Sequence, residues 1–508
     1  MTATATPSTS PAASPAPATR SIEYRQIFVD GRWVDTATGA SAPVINPATE
    51  EAIGIAPIAT AADARKAIEA ARRAFDDGPW PSMTPAERSA VLVRMADIMD
   101  RRKSELVALN MAETGSTRVG AESFHTTIPI AHFRDMAQRV LPSYRWEEPL
   151  APHVGMGIGQ GVIRREPFGV AAVVSAYNFP LYLNLMKLAP ALAAGCTVVL
   201  KPAPTTPLEA LILGEIAEEA GLPDGVLNIV TGDIDVGTEL STSPLVDIVS
   251  FTGSDAVGRK VAEQASPTLK KVVLELGGKS ANIICEDADL TKVLPGIVRD
   301  TVLHAGQGCG YLTRTLVHRS RYDELVDMVK GALAQIVVGD PADPATVLGP
   351  LQTAEQRARV EALIASGVAE GATLALGGGR PAHLDKGFFI EPTLFVDVDN
   401  SMTIARKEFF GPVMIIMAFD TDDEAVAVAN DNEYGLAGGV WAKDPVRAYQ
   451  IAQRIRTGYI TVNGGGGGLS PHGPFGGYKQ SGLGRERGAI GMEEYLETKS
   501  IIWGVAAG

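Results

Sequence analysis

Apolar residues recur every three to four positions between residues 61 and 114, and this spacing predicts helices there. The first part of the segment is rich in alanine, and a cluster of acidic, glycine and proline residues at 77–81 interrupts the pattern. A second part repeats Val91, Met95 and Met99 at helical spacing. We expect two helices, one on each side of the break, that pack against each other.

Between residues 169 and 278 short apolar runs alternate with helical segments. The predicted strands are 170–175, 197–200, 226–230, 248–252 and 272–276, and the predicted helices are one that begins near Leu181 and one over 207–220. Such alternation favours crossover connections and a parallel sheet with helices on both faces. The chain is therefore predicted as an α/β protein with a doubly wound, Rossmann-like domain, whose ligands bind beyond the carboxyl ends of the strands.

Residues 149–167 follow a different period, because glycine alternates with larger residues from Val154 to Gly161. A period of two favours extended strands over helix. One use of such a short excursion is to pair with another subunit. Residues 493–503 also alternate towards their end, and we expect them to return as a strand.

The composition describes a large globular protein. Of the 508 residues, 45% are hydrophobic and 20% are charged. A chain of this length is expected to form roughly three domains. The 45 Lys and Arg against 59 Asp and Glu give a formal net charge of −14, which disfavours a broad attraction to nucleic acid or anionic lipid. A small molecule is the expected partner, with no nucleic acid and no membrane.

The cysteine count and the chain start bear on location. Cys196, Cys285 and Cys309 are too few for a disulfide framework and fit a reducing compartment. Residues 1–22 are mostly Ala, Thr, Ser and Pro without the apolar run of a signal peptide, and are predicted as a disordered tail. The apolar stretch 181–200 is interrupted by polar and helix-breaking residues, so no membrane span is predicted. The expected location is cytoplasmic.

Cys309 stands between Gly308 and Gly310, so its thiol and its backbone N–H have little side-chain cover. At an ordinary pKa near 8.5 only about 3% of such a thiol is thiolate at neutral pH, and a nearby cation raises that fraction. A lone cysteine is more often a small buried apolar residue. Cys309 is therefore a candidate nucleophile with a structural alternative, whereas Cys196 and Cys285 are predicted to be inert.

Two further residues fit catalysis but also have ordinary structural interpretations. Glu275 ends an apolar run and precedes two glycines, where it is either a surface charge at a strand end or a desolvated general base with a raised pKa. Asn178 lies between a predicted strand and a predicted helix. Its amide either caps that helix or donates to a developing oxyanion.

The candidate cofactor signal is the segment Phe251–Gly258, in which Gly253 and Gly258 follow a strand and open a helix. Bare backbone N–H groups and a helix dipole suit a pyrophosphate, but the segment matches neither the three-glycine dinucleotide fingerprint nor a P-loop. Lys201 ends another strand and either reaches a ribose or phosphate or faces solvent. The histidines show no metal-ligand spacing and no serine elbow is present, so neither a metal site nor a serine triad is predicted.

Taken together, these segments resemble the aldehyde dehydrogenase superfamily over about residues 28–503. The blocks that carry the resemblance follow one order: 167–170 (PFGV), 177–180 (YNFP), 201–203 (KPA), 251–254 (FTGS), 275–279 (ELGGK), 306–309 (GQGC), 408–412 (EFFGP), 432–436 (NEYGL) and 474–479 (PFGGYK). The spacing between Glu275 and Cys309 also matches the family pattern. This order of blocks is specific, and it raises all three catalytic candidates above their structural alternatives.

The resemblance implies an NAD(P)-dependent, non-acylating enzyme of bacterial type that oxidises aldehydes to carboxylic acids. It implies that the Cys309 thiolate attacks the aldehyde carbon, while the Asn178 amide and the Cys309 backbone N–H hold the oxyanion. Glu275 then activates the water that hydrolyses the thioester, and Lys187 matches a family lysine on the proton path of the base. Members that acylate coenzyme A commonly lack this carboxylate, so Glu275 favours acid formation.

The resemblance also implies a cofactor site. Lys201 contacts the adenosine ribose, Gly253 and Ser254 lie near the pyrophosphate, and Glu408 with Phe410 holds the nicotinamide ribose and ring. The full predicted set is Ser175, Ala176, Tyr177, Lys201, Ala203, Pro204, Gly232, Gly237, Phe251, Thr252, Gly253, Ser254, Val257, Leu276, Gly277, Glu408 and Phe410.

Three of these residues depart from the commonest family pattern. Pro204 replaces a glutamate that binds the adenosine ribose hydroxyls and would repel a 2′-phosphate. NAD is therefore the expected cofactor, and NADP is left open. Tyr177 replaces a tryptophan and Ala176 a proline, changes that are expected to reshape the cofactor wall mildly.

By alignment with the family, the predicted substrate pocket consists of Tyr182, Leu183, Met186, Gly308, Gly310, Tyr311 and Leu469. These residues carry few charges, and the two glycines are expected to leave room for a bulky or long apolar aldehyde, aromatic, terpenoid or aliphatic. No arginine is evident to clamp a second carboxylate, so semialdehydes are less favoured.

The predicted organisation then has three parts. A Rossmann-like cofactor domain covers 23–146 and 167–278, and an α/β catalytic domain covers 279–480. Residues 147–166 and 481–508 form a small β excursion that joins subunits into a homodimer or homotetramer. Two rival interpretations stay open, a catalytically silent cofactor-binding scaffold on the same fold and a cofactor-free cysteine esterase.

Overall fold

The computed structural model describes residues 22–155, 157–466 and 470–505. The predicted tail, except Ile22, and the predicted pocket residue Leu469 lie outside these ranges. Within them, no helix combines the length and the apolar character needed to cross a membrane. The described chain forms two large sheets covered by helices and two small sheets.

The first large sheet has eight strands, and five neighbouring strands in it run parallel. In order across the sheet the strands are Gly482–Leu483, Lys271–Glu275, Ile248–Thr252, Val170–Val174, Thr197–Lys201, Leu227–Ile229, Gln26–Val29 and Arg32–Asp35. The parallel strands lie where the apolar runs predict them. They confirm the Rossmann-like part of the predicted fold class.

Helices cover both faces of this sheet. Alternate residues of each strand point to opposite faces, so a central strand contributes side chains to an apolar core on each side. Ala171 and Val173 belong to one apolar core, whereas Val170 and Ala172 belong to a second. A strand buried on both faces is apolar throughout, which explains the continuous apolar runs. The surrounding helices are Ala61–Asp76, Pro85–Arg101, Lys103–Thr114, Ile128–Asp135, Pro180–Ala194, Leu208–Ala220, Ile234–Thr242 and Asp255–Ala265.

The helical region 61–114 contains one more helix than the two expected. Pro85–Arg101 and Lys103–Thr114 are separate helices, because the backbone of Arg102 (φ −90°, ψ 10°) leaves the helical conformation between them. No glycine or proline marks this position in the sequence. The apolar spacing continues across the break, so periodicity alone does not reveal it.

The second large sheet has seven strands, and all neighbours run parallel except the first pair. In order they are Thr373–Leu376, Thr393–Val396, Val413–Phe419, Arg314–His318, Ala281–Ile284, Ala437–Trp441 and Tyr459–Val462. The main helices are Leu290–Val302, Tyr322–Leu333, Ala354–Ala369, Thr403–Arg406, Asp422–Asn430 and Pro445–Ala452. This second α/β unit agrees with the predicted fold class.

The alternating segments form a small antiparallel sheet with each other. Ile158–Pro167 pairs along its whole length with Leu496–Val505, and Glu147–Pro149 and His153–Val154 pair with it as well. The other small sheet consists of Ile22–Glu23, Ala52–Pro57 and Ser41–Ile45. The period of two thus predicts both long strands of the excursion.

The limits of the domains stay a prediction. Residues 481–508 are predicted to belong to the β excursion that joins subunits, but part of this segment packs with the first large sheet instead. Gly482–Leu483 pairs with Lys271–Glu275 at the edge of the first large sheet. The following helix, Gly488–Glu493, contacts the helix Pro180–Ala194. The chain therefore contributes to the first large sheet before it reaches its last strand.

Candidate active site

A cavity of about 720 Å³ opens at the carboxyl ends of strands Ile248–Thr252 and Lys271–Glu275 and is closed by residues of the second α/β unit. This is the position expected for ligands of a doubly wound sheet. The predicted residues that line it are Ala176, Tyr177, Asn178, Tyr182, Leu183, Met186, Thr252, Gly253, Ser254, Glu275, Leu276, Gly277, Gly308, Cys309, Gly310, Tyr311, Glu408 and Phe410.

The other predicted residues do not line this cavity. Lys187 is buried behind it, and Leu469 lies outside the described residues. Those that belong to neighbouring strands, loops and helices are Ser175, Lys201, Ala203, Pro204, Gly232, Gly237, Phe251 and Val257.

The loop before Cys309 reverses sharply after the helix Leu290–Val302. His304, Ala305 and Gly306 follow one another with φ of 47°, 51° and 71°, a left-handed conformation that is costly for residues with a side chain. A Cβ on Gly306 would lie 2.1 Å from the carbonyl oxygen of Gly411. The loop is therefore held in one strained path that presents the residues after Gln307 to the cavity.

The two glycines beside Cys309 do not both leave room for substrate. A Cβ on Gly308 would lie 2.5 Å from the ring of Tyr311, so that ring already fills the space. A Cβ on Gly310 would lie 3.6 Å from the ring of Phe475, an ordinary contact. The expectation of added room at both positions is wrong for Gly308, because the side chain three residues later folds back over it.

Cys309 is partly exposed, whereas Cys196 and Cys285 are buried. Burial in the cavity wall raises the pKa of the Cys309 thiol to about 12, and the carboxylates of Glu408 and Glu275 add to this rise. The resting protein therefore holds a thiol rather than a thiolate, and a positive charge or a proton acceptor must assist its attack.

The structure does not support the helix-cap interpretation of Asn178. The residue before the helix Pro180–Ala194 is Phe179, and the N–H of Leu181 in the first turn donates to Oε2 of Glu209, at 2.7 Å. The Nδ2 of Asn178 instead donates a hydrogen bond to the carbonyl oxygen of Gln307, at 2.8 Å. The side chain thus contacts the Cys309 loop and also lines the cavity. An amide in this position has a second N–H to offer to a ligand.

Glu275 is not a surface charge, since only 2% of it is exposed. Neither of its carboxylate oxygens has a hydrogen-bond partner among the residues that the structure describes. Burial raises its pKa well above the usual range, the carboxylate of Glu486 raises it further, and Lys187 and Arg487 oppose the shift. A buried, unpartnered carboxyl with a raised pKa has the properties of a candidate general base.

Lys187 and Glu486 form a buried ion pair behind Glu275. The Nζ of Lys187 donates to Oε1 of Glu486 at 2.5 Å and to Oγ of Ser250 at 3.1 Å, and both charged side chains are almost fully buried. Sequence reasoning identified Lys187 but missed Glu486. The signal was an acidic residue between two arginines, Arg485 and Arg487, which by itself has many ordinary explanations.

The glycine-bounded segment forms a cradle at the other end of the cavity. Ser254 begins the helix Asp255–Ala265, and its hydroxyl accepts a hydrogen bond from the N–H of Val257. Next to it, a Cβ on Gly277 would lie 2.5 Å from Oε2 of Glu408. Glu408 also accepts from the N–H of Gly278, at 3.1 Å, and burial raises its pKa to about 7. A helix start and an acidic acceptor fit the pyrophosphate and ribose of a dinucleotide.

Lys201 lies at the end of its strand with 6% of its surface exposed. Its Nζ donates to the carbonyl oxygen of Pro202 at 3.1 Å. Burial lowers its pKa to about 8, and Asp233 and Asp235 oppose that shift. These two acidic residues were not anticipated from the sequence, and they place negative charge near Lys201 although Pro204 supplies none.

The substrate side of the cavity is less apolar than expected. Arg487 and Arg299 both line it, and Arg299 is paired with the buried Asp300 at 2.7 Å. No arginine that could clamp a second carboxylate is evident in the sequence, whereas in the structure Arg487 reaches the cavity wall from the far end of the chain. The apolar part of the wall has further members that sequence reasoning missed, namely Phe124, Ile128, Tyr459 and Phe475.

A cysteine, an amide and a buried carboxyl line one cavity at the carboxyl ends of a dinucleotide-type sheet, and this arrangement suits an oxidoreductase with a covalent cysteine intermediate. The fold and the cavity fit this class of enzyme. Comparison with known proteins makes the class specific: the profile of the Aldehyde dehydrogenase family matches residues 33–501. The chain belongs to this family.

Several characterised relatives align with nearly the whole chain. The 3-succinoylsemialdehyde-pyridine dehydrogenase of a Pseudomonas species is 42% identical over 94% of this chain and 98% of that protein. The geranial dehydrogenase of Castellaniella defragrans is 40% identical over 94% of this chain and 99% of that protein. The names of these two relatives refer to different aldehydes. The similarity therefore identifies the family but not the substrate, which has to be inferred from the residues of the pocket.

Solved structures of the family have the same fold. The Mycobacterium tuberculosis aldehyde dehydrogenase, complexed with NAD+, is 47% identical, with a TM-score of 0.91 over 95% of this chain and 98% of that one. Aldehyde dehydrogenase C of Pseudomonas syringae, in a mutant complexed with NAD+ and octanal, is 42% identical, with a TM-score of 0.89 over 94% and 96% of the two chains.

Proposed function

We propose that this protein oxidises an aldehyde to the carboxylic acid through a covalent intermediate on Cys309, with NAD as the hydride acceptor. The observation that carries the proposal is that Cys309, Asn178 and Glu275, which lie far apart in the chain, line one cavity. Membership of the Aldehyde dehydrogenase family supports the same reaction.

Each of the three residues has a distinct task in this proposal. The Cys309 thiol first gives its proton to solvent water, its sulfur then forms a bond to the aldehyde carbon, and the π bond of the carbonyl breaks to leave an oxyanion. The free N–H of the Asn178 amide and the backbone N–H of Cys309 stabilise that charge. NAD, when bound, accepts the hydride from this carbon, which leaves a thioester. Glu275 removes a proton from water, the water oxygen attacks the thioester, and the carbon–sulfur bond breaks to release the acid.

We propose NAD rather than NADP as the cofactor because of the negative charges near Lys201. Asp233 and Asp235 lie close enough to affect that lysine, and their charge would repel the additional phosphate of NADP although Pro204 carries none. The solved structures of the M. tuberculosis and P. syringae relatives contain NAD+. Glu408 and Phe410 are proposed to hold the nicotinamide end, and Gly253 and Ser254 the pyrophosphate.

The substrate is proposed to have an apolar body next to its aldehyde group. Cys309 packs against an apolar cluster that includes Tyr182, Leu183, Met186 and Phe475. Such walls favour aromatic, terpenoid or aliphatic chains through burial of apolar surface. The relatives named for geranial and crystallised with octanal are consistent with this choice.

A panel of aldehydes followed at the NADH absorbance, with NAD and NADP in parallel, tests the proposal. Octanal, benzaldehyde and geranial are expected to reduce NAD, with NADP slower for each. Hydrolysis of aryl esters without reduction of NAD by any aldehyde would instead identify a cofactor-free cysteine esterase. Binding of NAD without turnover of any aldehyde would identify a silent scaffold.

Replacing Asn178 with alanine is expected to lower kcat by about 100- to 1,000-fold, because one of two oxyanion donors is lost. The KM for NAD should stay close to that of the wild type, since Asn178 bonds to the Cys309 loop and not to the cofactor cradle. Steady-state kinetics with octanal measures both values. A variant with unchanged kcat would show that the amide has only a structural role.

We also propose that the small sheet joins subunits into a dimer or tetramer. Leu496–Val505 is an edge strand of that sheet, and its Ile501, Ile502 and Trp503 are exposed. An edge strand with apolar side chains is a template for pairing with another chain. Light scattering is expected to give a multiple of 53.4 kDa for the wild type and a smaller mass for Ile501→Glu/Trp503→Glu. A monomeric wild type would refute this proposal.

A further inference from the structure

Arg487 is an unusual member of the cavity wall. Only 5% of it is exposed, it lines the same cavity as Cys309, and its Nη1 has no hydrogen-bond partner among the described residues. Within the described ranges its side chain makes one hydrogen bond, from Nε to the thioether sulfur of Met186 at 3.4 Å, and a thioether is a weak acceptor. A buried guanidinium with so few partners is costly unless a ligand completes its set.

Two aromatic rings lie against the Arg487 guanidinium. Its central carbon lies 4.5 Å from the centre of the Phe475 ring and 5.6 Å from that of Tyr182. These rings stabilise the cation but leave Nη1 without a hydrogen-bond acceptor among the described residues. A carboxylate matches the planar fork of a guanidinium and supplies such an acceptor.

The charges around Arg487 leave its positive charge uncompensated. The nearest acidic residue in sequence, Glu486, is bound to Lys187. Arg487 forms no ion pair with a carboxylate in the ranges 22–155, 157–466 and 470–505. The charge of Arg487 acts on Cys309, Glu275 and Tyr182 alike, so it stands close to the reacting groups.

The backbone of Arg487 is strained as well. Its φ is 71°, a left-handed conformation that few residues other than glycine, asparagine and aspartate adopt easily. Strain of this kind persists where the surrounding structure enforces it, and it is concentrated at functional sites. The chain thus holds this arginine against the cavity at a cost.

We propose that Arg487 binds a carboxylate at the far end of the substrate, so that the preferred aldehydes are semialdehydes with an apolar chain between the two groups. This inference rests on the proposed aldehyde oxidation and narrows its substrate class. It also reverses the expectation, drawn from the sequence, that semialdehydes are disfavoured. The apolar wall then holds the chain, and Arg487 sets its length and charge.

The test compares each semialdehyde with its methyl ester, in which a neutral group of slightly larger size replaces the carboxylate. Succinic and adipic semialdehydes and their methyl esters are oxidised with saturating NAD, and kcat and KM are measured for each. At least one semialdehyde is expected to exceed its ester in kcat/KM by about 10- to 100-fold, mainly through KM, as a charge-assisted contact predicts. Equal values for acids and esters would overturn the proposal.

Two variants separate recognition from a structural role. Arg487→Asn removes the charge but tolerates the left-handed backbone, and it is expected to lose the preference for the acids, so that each acid and its ester have similar kcat/KM values. Arg487→Lys keeps a charge without the planar fork and should retain part of the preference. Lys292→Met is the matched control, because Lys292 also lines the cavity but is exposed to solvent.

The remaining outcomes are also decisive. If Arg487→Asn lowers kcat/KM equally for acids and esters, Arg487 assists the nucleophile rather than the substrate, and the proposal fails. If Lys292→Met removes the preference as well, general attraction by the cavity explains it. Oxidation of the esters and of octanal without preference for acids refutes this inference alone, whereas no oxidation of any aldehyde refutes the proposed function.

Discussion

Replacing Cys309 with alanine is expected to reduce aldehyde-dependent NADH formation by about 10,000-fold or more, because no other described group in the cavity can form the thioester. Cys309 is partly exposed, unlike the buried Cys196 and Cys285, and it lines the same cavity as Asn178 and Glu275. Steady-state and single-turnover assays with octanal and NAD measure the effect.

The matched controls are the two other cysteines. Cys196→Ala and Cys285→Ala change buried residues of the two large cores and should keep kcat within about two-fold, with some loss of thermal stability. NAD binding by Cys309→Ala, followed by tryptophan fluorescence, is expected to match the wild type. A Cys309→Ala protein that still forms NADH at the wild-type rate would remove the basis of the proposed mechanism.

Replacing Glu275 with glutamine is expected to separate the two halves of the reaction. The first turnover should still release one NADH per site, because Cys309 and Asn178 are intact, but the steady state should then fall by about 100- to 10,000-fold. The thioester is expected to accumulate, because no base activates the water molecule that hydrolyses it. Rapid mixing with octanal and NAD measures the burst, and Glu497→Gln, which changes an exposed carboxylate, is the control.

Chemical rescue of Glu275→Gln with hydroxylamine provides a further test of the role of Glu275. Hydroxylamine attacks a thioester without a general base, so it is expected to restore turnover of Glu275→Gln while it changes the wild type little. A variant without a burst would place Glu275 before hydride transfer instead. A variant with normal steady-state turnover would show that another group activates the water.

The pH dependence of the wild type follows from the same carboxyl. Burial and the Glu486 carboxylate raise the pKa of Glu275, and a base acts in its ionised form. The hydrolytic rate is therefore expected to increase as the pH rises through that raised pKa. Glu486→Gln removes the like charge and leaves Lys187 unpaired, so the midpoint of this increase should move to lower pH.

The strands were predictable from the sequence because both of their faces are buried. The runs around Val170, Val199 and Val249 are apolar throughout, and a doubly covered parallel sheet requires such runs. The break at Arg102 was not predictable, since nothing in the local pattern marks it. Local sequence thus determined where the chain is extended more reliably than where a helix stops.

The residues of the candidate site also divide into those that the sequence predicts and those that it does not. Cys309, Glu275 and Asn178 were predictable because short blocks of sequence surround each of them. Their structural alternatives could not be rejected from the sequence, because burial of Glu275 and the bond from Asn178 to Gln307 depend on contacts between distant segments. Arg487 and Tyr311 show the same limit, since one reaches the cavity from the end of the chain and the other folds back over Gly308.

The ion pair between Lys187 and Glu486 links two parts of the chain that are made at very different times. During synthesis the helix that carries Lys187 can form early, because domains fold as they emerge. Its buried ammonium group then stays without a counter-ion until almost the entire polypeptide has left the ribosome. Loss of the C-terminal segment that carries Glu486 would therefore leave the Lys187 ammonium group without the counter-ion that it has in the full chain.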